Sequence, residues 1–586
     1  MAPLLRRAGA LLAAAAFVAP EPCFAAADAS AAAATPAAAA AAPAAASWRS
    51  FGEGSGCGRA AAHGGAADAP LARTGAADRE ACKRLCEART DCVGVEFEAS
   101  SGVCLLQAGQ VRYTRLAPGS ECLGLSRSRG LGPLGGVGGG EGEGHDMEVF
   151  VMLPLDAVSS DGRVADPTGL PQSLDAMKWA GIDGFMVDVW WGLTEVRPKV
   201  YNFSAYRQLF EMARERGWKV QAVASFHQCG GNVGDSCDIP LPEFVRSVDN
   251  IWYKDAQGEE DREYVSLFAD DIDVGGRTPI DMYRDWLDAF AAEFSTDLGG
   301  LISEIMVGMG PCGELRYPSY RLSHWQFCGH GQFQAFDDHA LANLSAAAES
   351  ARHPEWSEPP GLAITGTYNS RPHETEFFSS GFQSDHGKFF LEWYSSALKA
   401  HGARVLAEAR EALAGRARIS GKVAGIHWWY DSDSHAAEVT AGYYNANSHD
   451  AYDEIAQLFA AQGAALDFTC LEMRNSEQPM ECRSNPEELV QQVITAAEAH
   501  GVHFGGENAL PRFDQGAYNE ILHYQDHLNS LTYLRLSHQL TQSGNLALFK
   551  NFVSALHWTG ASPPAAPDAT AASAVAALPS PAALRR

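Results

Sequence analysis

The stretch Ile302-Ser303-Glu304-Ile305-Met306-Val307-Gly308-Met309-Gly310-Pro311-Cys312-Gly313-Glu314-Leu315-Arg316-Tyr317-Pro318-Ser319-Tyr320 runs from an apolar segment into a glycine-rich turn. The run Ile302 to Gly308 reads as a buried strand, and the glycines on both sides of Pro311 let the backbone turn sharply after it. That turn leaves one carboxylic acid, Glu314, beside Arg316 and two tyrosines. A single glutamate in such a turn is ordinarily a solvated loop residue. The weight changes with Glu507 in Gly505-Gly506-Glu507-Asn508-Ala509-Leu510-Pro511-Arg512, which follows another apolar run in the same manner. Two carboxylates at the ends of two strands, among aromatic residues, are the minimum equipment for hydrolysing a glycosidic bond.

Outward from these two strands the same pattern recurs. Eight short runs rich in Val, Ile, Leu, Phe and Met occur between 149 and 536: Val149–Leu155, Gly184–Val189, Val220–Phe226, Ile302–Gly308, Val423–Trp428, Leu466–Leu471, Val502–Gly505 and Leu531–Leu536. Amphipathic stretches such as Tyr206–Arg216, Met282–Phe294 and Pro486–Ala499 lie between them and predict helices. Alternating buried strand and helix predicts an α/β fold, a (β/α)8 TIM barrel with long βα loops over residues 147–558. An open doubly wound sheet is the competitor. Neither a Gly-x-Gly-x-x-Gly after the first strand nor a Walker sequence is present, so nucleotide binding has no support.

In such a barrel the chemistry lies at the C-terminal strand ends, and the unusual residues of this chain fall there. Strand two ends in Asp188-Val189-Trp190-Trp191, and strand three in His227-Gln228-Cys229-Gly230-Gly231-Asn232-Val233-Gly234-Asp235. Strand five supplies Lys422 and His427, strand six Thr469-Cys470-Leu471-Glu472, strand seven Glu507 and Asn508, and strand eight Arg535. Flat aromatic faces beside Asp, His, Lys and Arg suit a carbohydrate pocket. Duller readings stand beside these. Asp188 alone could be a strand-end cap; Trp190-Trp191 and Trp428-Trp429 read as packing; Glu438 and Glu472 read as supporting or ion-paired groups as readily as catalytic ones. His227, Cys229 and Cys237 could hint at a metal, but a fourth ligand at suitable spacing is missing. Cys470 has no His–Asn pattern to make it a nucleophile.

Taken together in chain order, these motifs resemble the β-amylases, glycoside hydrolase family 14, from about Met147 to His557. The resemblance implies exo-hydrolysis of the α-1,4 linkages of starch and maltodextrin from the non-reducing end, releasing β-maltose with inversion and needing no metal or organic cofactor. It implies Glu314 as general acid and Glu507 as general base. It implies substrate binding by Asp188, His227, Asp235, Lys422, His427, Thr469, Asn508, Ala509 and Arg535. The loop Gly230 to Asp235 matches the family's mobile lid, with Asp235 on an exposed turn, and Thr469 lies in its inner loop. Departures are Cys312 where the family has a smaller residue, Arg321 where proline is usual, and a shortened segment Asp514 to Ser530. A barrel that binds or senses α-glucans without turnover is the alternative from another class.

Ahead of the barrel, residues 1–26 read as a secretory signal, with Arg6-Arg7, an apolar middle from Ala8 to Val18 and small residues at Ala25-Ala26. This points to the secretory pathway and the extracellular space; a signal anchor or the first half of a bipartite plastid leader is the alternative. Residues 27–47 are an Ala/Pro linker. Residues 48–125 carry Cys57, Cys82, Cys86, Cys92, Cys104 and Cys122, a spacing that predicts a small disulfide-rich α+β module. Ala81–Glu87 suits a helix, Val93–Phe97 and Cys104–Leu106 suit strands, and the whole resembles the apple/PAN family, whose modules bind proteins or glycans. Residues 126–146 form a Gly-rich tether with nine glycines from Gly130 to Gly144, and residues 559–586 an Ala/Pro tail. The formal charge of −28 argues against nucleic acid or an anionic membrane as partner, since phosphates would be repelled; a neutral polymer would not be.

Overall fold

A computed structural model describes residues 147–232 and 235–557, and in the N-terminal part residues 47–58, 72–75, 81–82, 94–98, 103–107 and 113–126. The chain divides into two units, Met1–Glu141 and Gly142–Arg586. The leader, the linkers and the tail lie outside the described residues, apart from Ser47 and Ser126 at their edges.

In the first unit, strands Ser47–Gly58, Ala72–Gly75, Gly94–Glu98, Val103–Gln107 and Tyr113–Ser126 form one five-stranded sheet. Every pairing in it is antiparallel. Cys82 and Cys104 are joined by a disulfide. The two strands expected from the sequence are present within a residue or two, whereas the helix expected at Ala81–Glu87 falls mostly outside the described residues.

The second unit is the barrel. Its strands are β1 (Glu148–Met152), β2 (Gly184–Trp190), β3 (Lys219–Ser225), β4 (Ile302–Val307), β5 (Arg418–Val423), β6 (Ala465–Phe468), β7 (Phe504–Glu507) and β8 (Ser530–Tyr533). They pair in chain order, all parallel, and β8 returns to β1 to close the ring. A parallel sheet covered by helices is buried on both faces, which is why these strands read as continuous apolar runs. The helix over Ser204–Arg214 shows the complementary logic: Ala205, Tyr206, Leu209, Phe210 and Ala213 recur at helical spacing and are its buried residues.

One strand departs from expectation. β5 is Arg418–Val423, not Val423–Trp428, which forms the loop beyond the strand. The cause is a polar layer inside the barrel. Ser420 Oγ donates to Glu304 Oε1 at 2.8 Å, Thr532 Oγ1 donates to Gln221 Oε1 at 2.7 Å, and Asp467 is buried nearby. A strand that contributes Ser420 and Lys422 to the interior does not look apolar in sequence. Nearer the strand C-termini, Met152, Met186, Val223 and Met306 fill the barrel, so the site is built on a packed floor rather than over a pore.

Candidate active site

The turn after β4 is shaped by three residues. Cys312 and Gly313 both adopt positive φ, 55° and 76°, and a Cβ on Gly310 would lie 2.4 Å from the Glu314 carbonyl oxygen. The turn doubles back so that Glu314 forms a parallel bridge with Lys422, and Leu315 N donates to the Lys422 carbonyl at 2.8 Å. The acid-bearing segment is thereby docked on β5. Arg316, buried, donates through Nε to Glu314 Oε2 at 2.6 Å and lies over the Tyr320 ring at 4.3 Å. The surroundings of Glu314 therefore include a cation.

Glu507 is the last residue of β7 and is 1% exposed. Lys422 Nζ lies 2.6 Å from its Oε2, and Oε1 has no hydrogen-bond partner. Burial raises the Glu507 pKa above the usual carboxylate range; Lys422 opposes that, and Glu314 adds to it. Burial likewise works against the Lys422 ammonium, but Glu507, Glu314 and Asp188 outweigh it and leave its pKa raised.

Asp188 lies in β2 opposite Val223 and accepts from Ser225 Oγ at 2.8 Å through Oδ1, while Oδ2 is buried and unpartnered. Burial raises its pKa, against the pull of Arg535 and Lys422. His227, edge-on to Trp190 at 5.1 Å between ring centres, and His427 are both buried. Desolvation lowers their pKa values to about 3 and about 4 respectively, so both imidazoles are neutral. Each has an Nδ1 with no hydrogen-bond partner. Buried polar atoms left unpaired on several converging side chains are a cost unless a ligand supplies the missing bonds.

The electrostatic neighbours of these groups are one another. Lys422 acts on Glu507, Asp188 and His227, and Arg535 acts on Asp188, Asp235 and Glu507. The structure thus gathers Asp188, His227, Asp235, Glu314, Lys422, Glu507 and Arg535 into one constellation. Thr469 Oγ1 accepts from Gly425 N at 2.9 Å, which ties the loop after β6 to the loop after β5. Asn508 has a different placement: its side chain bonds the Leu510 and Leu534 carbonyls and accepts from Leu534 N, so it ties the loops after β7 and β8 together. Ala509 N is taken by Glu472 Oε2 at 2.9 Å.

One expectation about the loop after β3 changes. Asp235 is not a free turn carboxylate: its Oδ2 accepts from Gly230 N at 2.9 Å and Asn232 N at 3.0 Å, and it is partly buried. Cys229 and Cys237, weighed as metal ligands, are joined by a disulfide across that loop. A second disulfide, Cys328–Cys482, ties the loop after β6 to the segment facing Trp429, whose Nε1 donates to the Cys328 carbonyl at 2.6 Å. The tryptophan pairs are packing residues, as read: Trp190 Nε1 donates to the Leu155 carbonyl and Trp191 Nε1 to Glu195. Among the described residues no group of three or more His, Cys, Asp or Glu could hold a metal ion.

Sequence reasoning named Arg316 and Glu472 without giving either a place in the site, and left out Glu263. Arg316 was in view two positions from Glu314. Glu472 accepts from both Ala509 N and Leu510 N and so holds the loop after Glu507; burial raises its pKa to about 7. Glu263 lies in a hairpin far from any motif.

Residues 150–560 match the family model described as Glycosyl hydrolase family 14. The chain belongs to glycosyl hydrolase family 14. It is 47% identical over 443 residues to "Beta-amylase 2, chloroplastic" of Oryza sativa subsp. japonica, covering 72% of this chain and 79% of that protein. It is 45% identical over 439 residues to "Beta-amylase" of Glycine max, covering 70% and 87%. The crystal structure of the catalytic domain of β-amylase from Paenibacillus polymyxa superposes with a TM-score of 0.59 at 29% identity, covering 70% of this chain and 98% of that one.

Proposed function

We propose that the barrel is a working β-amylase in which Glu314 is the general acid and Glu507 the general base. As a family 14 member the chain is an inverting glycoside hydrolase acting on starch-type α-glucans. The observation that carries the assignment of roles is the unequal setting of two carboxylates at one end of one barrel. Glu507, held by Lys422, keeps one free oxygen for a water. Glu314, on a turn outside the strand, has its Oε2 occupied by Arg316, which leaves Oε1 to meet the leaving glycosidic oxygen. Proton donation by Glu314 and proton removal from water by Glu507 on the opposite face of the sugar complete a single inverting displacement.

Around them, Asp188 Oδ2, His227 Nδ1 and His427 Nδ1 would bond sugar hydroxyls, a reading supported by their being buried without partners. The Ala509 carbonyl is the main-chain group left to do so there, its N–H being held by Glu472. A barrel that only binds glucan would typically have lost an acid, a base or a lid residue, and the chain carries Glu314, Glu507 and Asp235. The N-terminal cysteine-rich unit is assigned as an apple/PAN-like module for a protein or glycan ligand. Entry to the secretory pathway fits the disulfides, while the chloroplast names of some relatives support the plastid route. Proton NMR of a fresh maltodextrin digest tests the mechanism: β-maltose appears first, which requires carboxyl groups about 6.5–9.5 Å apart. An initial α-maltose signal would refute inversion, and early random shortening of the chains would refute exo-attack.

A further inference from the structure

One buried carboxylic acid lies against the acid-bearing turn and has no part in the chemistry described so far. Glu263 belongs to the strand Glu260–Val265, in the long connection between β3 and β4, and is 5% exposed. Its Oε1 accepts from Cys312 N at 2.7 Å. Cys312 is two residues from Glu314 and occupies the positive-φ position that makes the turn, so this bond fixes the orientation of the peptide on which the turn depends. The Glu263 carbonyl in turn accepts from Gln228 N at 2.8 Å, tying the hairpin to the start of the lid loop.

The other neighbours of Glu263 lead to the same two places. Arg316, which holds Glu314, faces it from the β4 turn, and the Cys312 thiol faces it from there as well. Asp261 faces it from its own strand. From the lid loop comes Asn232, whose amide lies beside Glu263 and lowers its pKa, while its Oδ1 accepts from Arg316 Nη2 at 3.4 Å. Burial first, and then Asp261, pushes the Glu263 pKa up to about 8. The carboxyl is therefore neutral through the neutral range and becomes charged as pH rises through that value.

We propose that Glu263 is a positioning residue for the reaction: its carboxyl fixes the turn that presents Glu314 and, through Asn232 and Arg316, links that turn to the lid loop. The proposal rests on Glu314 being the general acid. It predicts a loss confined to the step that needs a donated proton. α-Maltosyl fluoride provides the contrast, because fluoride departs without protonation.

Glu263→Leu removes the acceptor for Cys312 N. Its kcat on maltodextrin should fall by about 10-fold or more, with KM little changed and turnover of α-maltosyl fluoride within about 3-fold of the parent. Glu263→Gln keeps an oxygen for that bond, so it should retain near-parental kcat at neutral pH. It should also lack the part of the alkaline decline of kcat that arises from Glu263 ionisation near pH 8. Equal losses on both substrates, or no loss on either, would overturn the proposal. If Glu263→Leu does not fold, the glutamine variant decides, and an alkaline limb identical to the parent's overturns it. Glu314→Gln run in parallel keeps the two readings apart: a variant still active on maltodextrin would remove the acid assignment itself.

Discussion

The turn that carries Glu314 and the strand end that carries Glu507 do similar work by different means. Glu314 takes its partner from its own segment, Arg316 two residues on, and owes its position to a turn set by Gly310, Cys312 and Gly313. Glu507 takes its partner from β5, and β6 lies between the two strands in the sheet. The acid's ion-pair partner is local, although its turn is also docked on β5 and held by Glu263, whereas the base's partner arrives only when β5, β6 and β7 are assembled side by side. The lesson is that the acid's ion pair can be altered within one loop, whereas the base's ion pair depends on the register of several strands.

The sharpest way to break this comparison is to neutralise each carboxylate in turn. Glu314→Gln and Glu507→Gln should each lower maltodextrin turnover by about 10²–10⁴-fold or more with the fold retained, since each removes proton transfer at one site. α-Maltosyl fluoride separates them. It should restore much of the turnover of Glu314→Gln, which lacks only the donated proton, and none of that of Glu507→Gln, which still lacks a base. Equal rescue of both would show that the two roles are misassigned.

A smaller effect tests the partner of the base. Lys422 lowers the Glu507 pKa against burial, so Lys422→Met leaves burial and Glu314 opposed only by the weaker pull of Arg535. The ionised base form would then appear only at higher pH. The acid limb of kcat/KM should move upward by about one unit or more, each unit corresponding to about 1.4 kcal/mol. A limb that stays in place would mean that the 2.6 Å pair does not set the base's ionisation.

The two barrel disulfides repeat the contrast between local and distant ties at the level of stability. Cys229–Cys237 closes a separation of 8 residues and Cys328–Cys482 one of 154. From loop-closure entropy alone, removing the short tie should cost at most about 2.5 kcal/mol and the long one at most about 5 kcal/mol. Thermal unfolding of Cys237→Ser and Cys482→Ser measures the difference. The reverse order would show that native-state contacts, not chain entropy, govern both.

Much of the molecule could be read from the chain alone. The order of the barrel strands, the helices at Ser204–Arg214, Pro279–Glu293 and Pro486–His500, and the residues at the strand ends follow from periodicity and turn chemistry, which are properties of neighbouring residues. The motifs around Glu314 and Glu507 were legible for the same reason. What the sequence could not show is what distant segments do to one another. β5 was displaced in the reading because Ser420 and Lys422 serve a polar interior that neighbouring residues do not reveal. Asp235 looks like a free acid until its bonds to Gly230 N and Asn232 N are seen. The pairing of six barrel cysteines into two disulfides, with Cys312 and Cys470 left free, depends on which loops meet. Glu263 carries no motif at all, and its position against Cys312 N exists only because a hairpin after β3 folds over the turn after β4. Sequence specifies these residues, but burial and ion pairing act through space, so only the closed barrel decides which carboxyl is held, raised or left free.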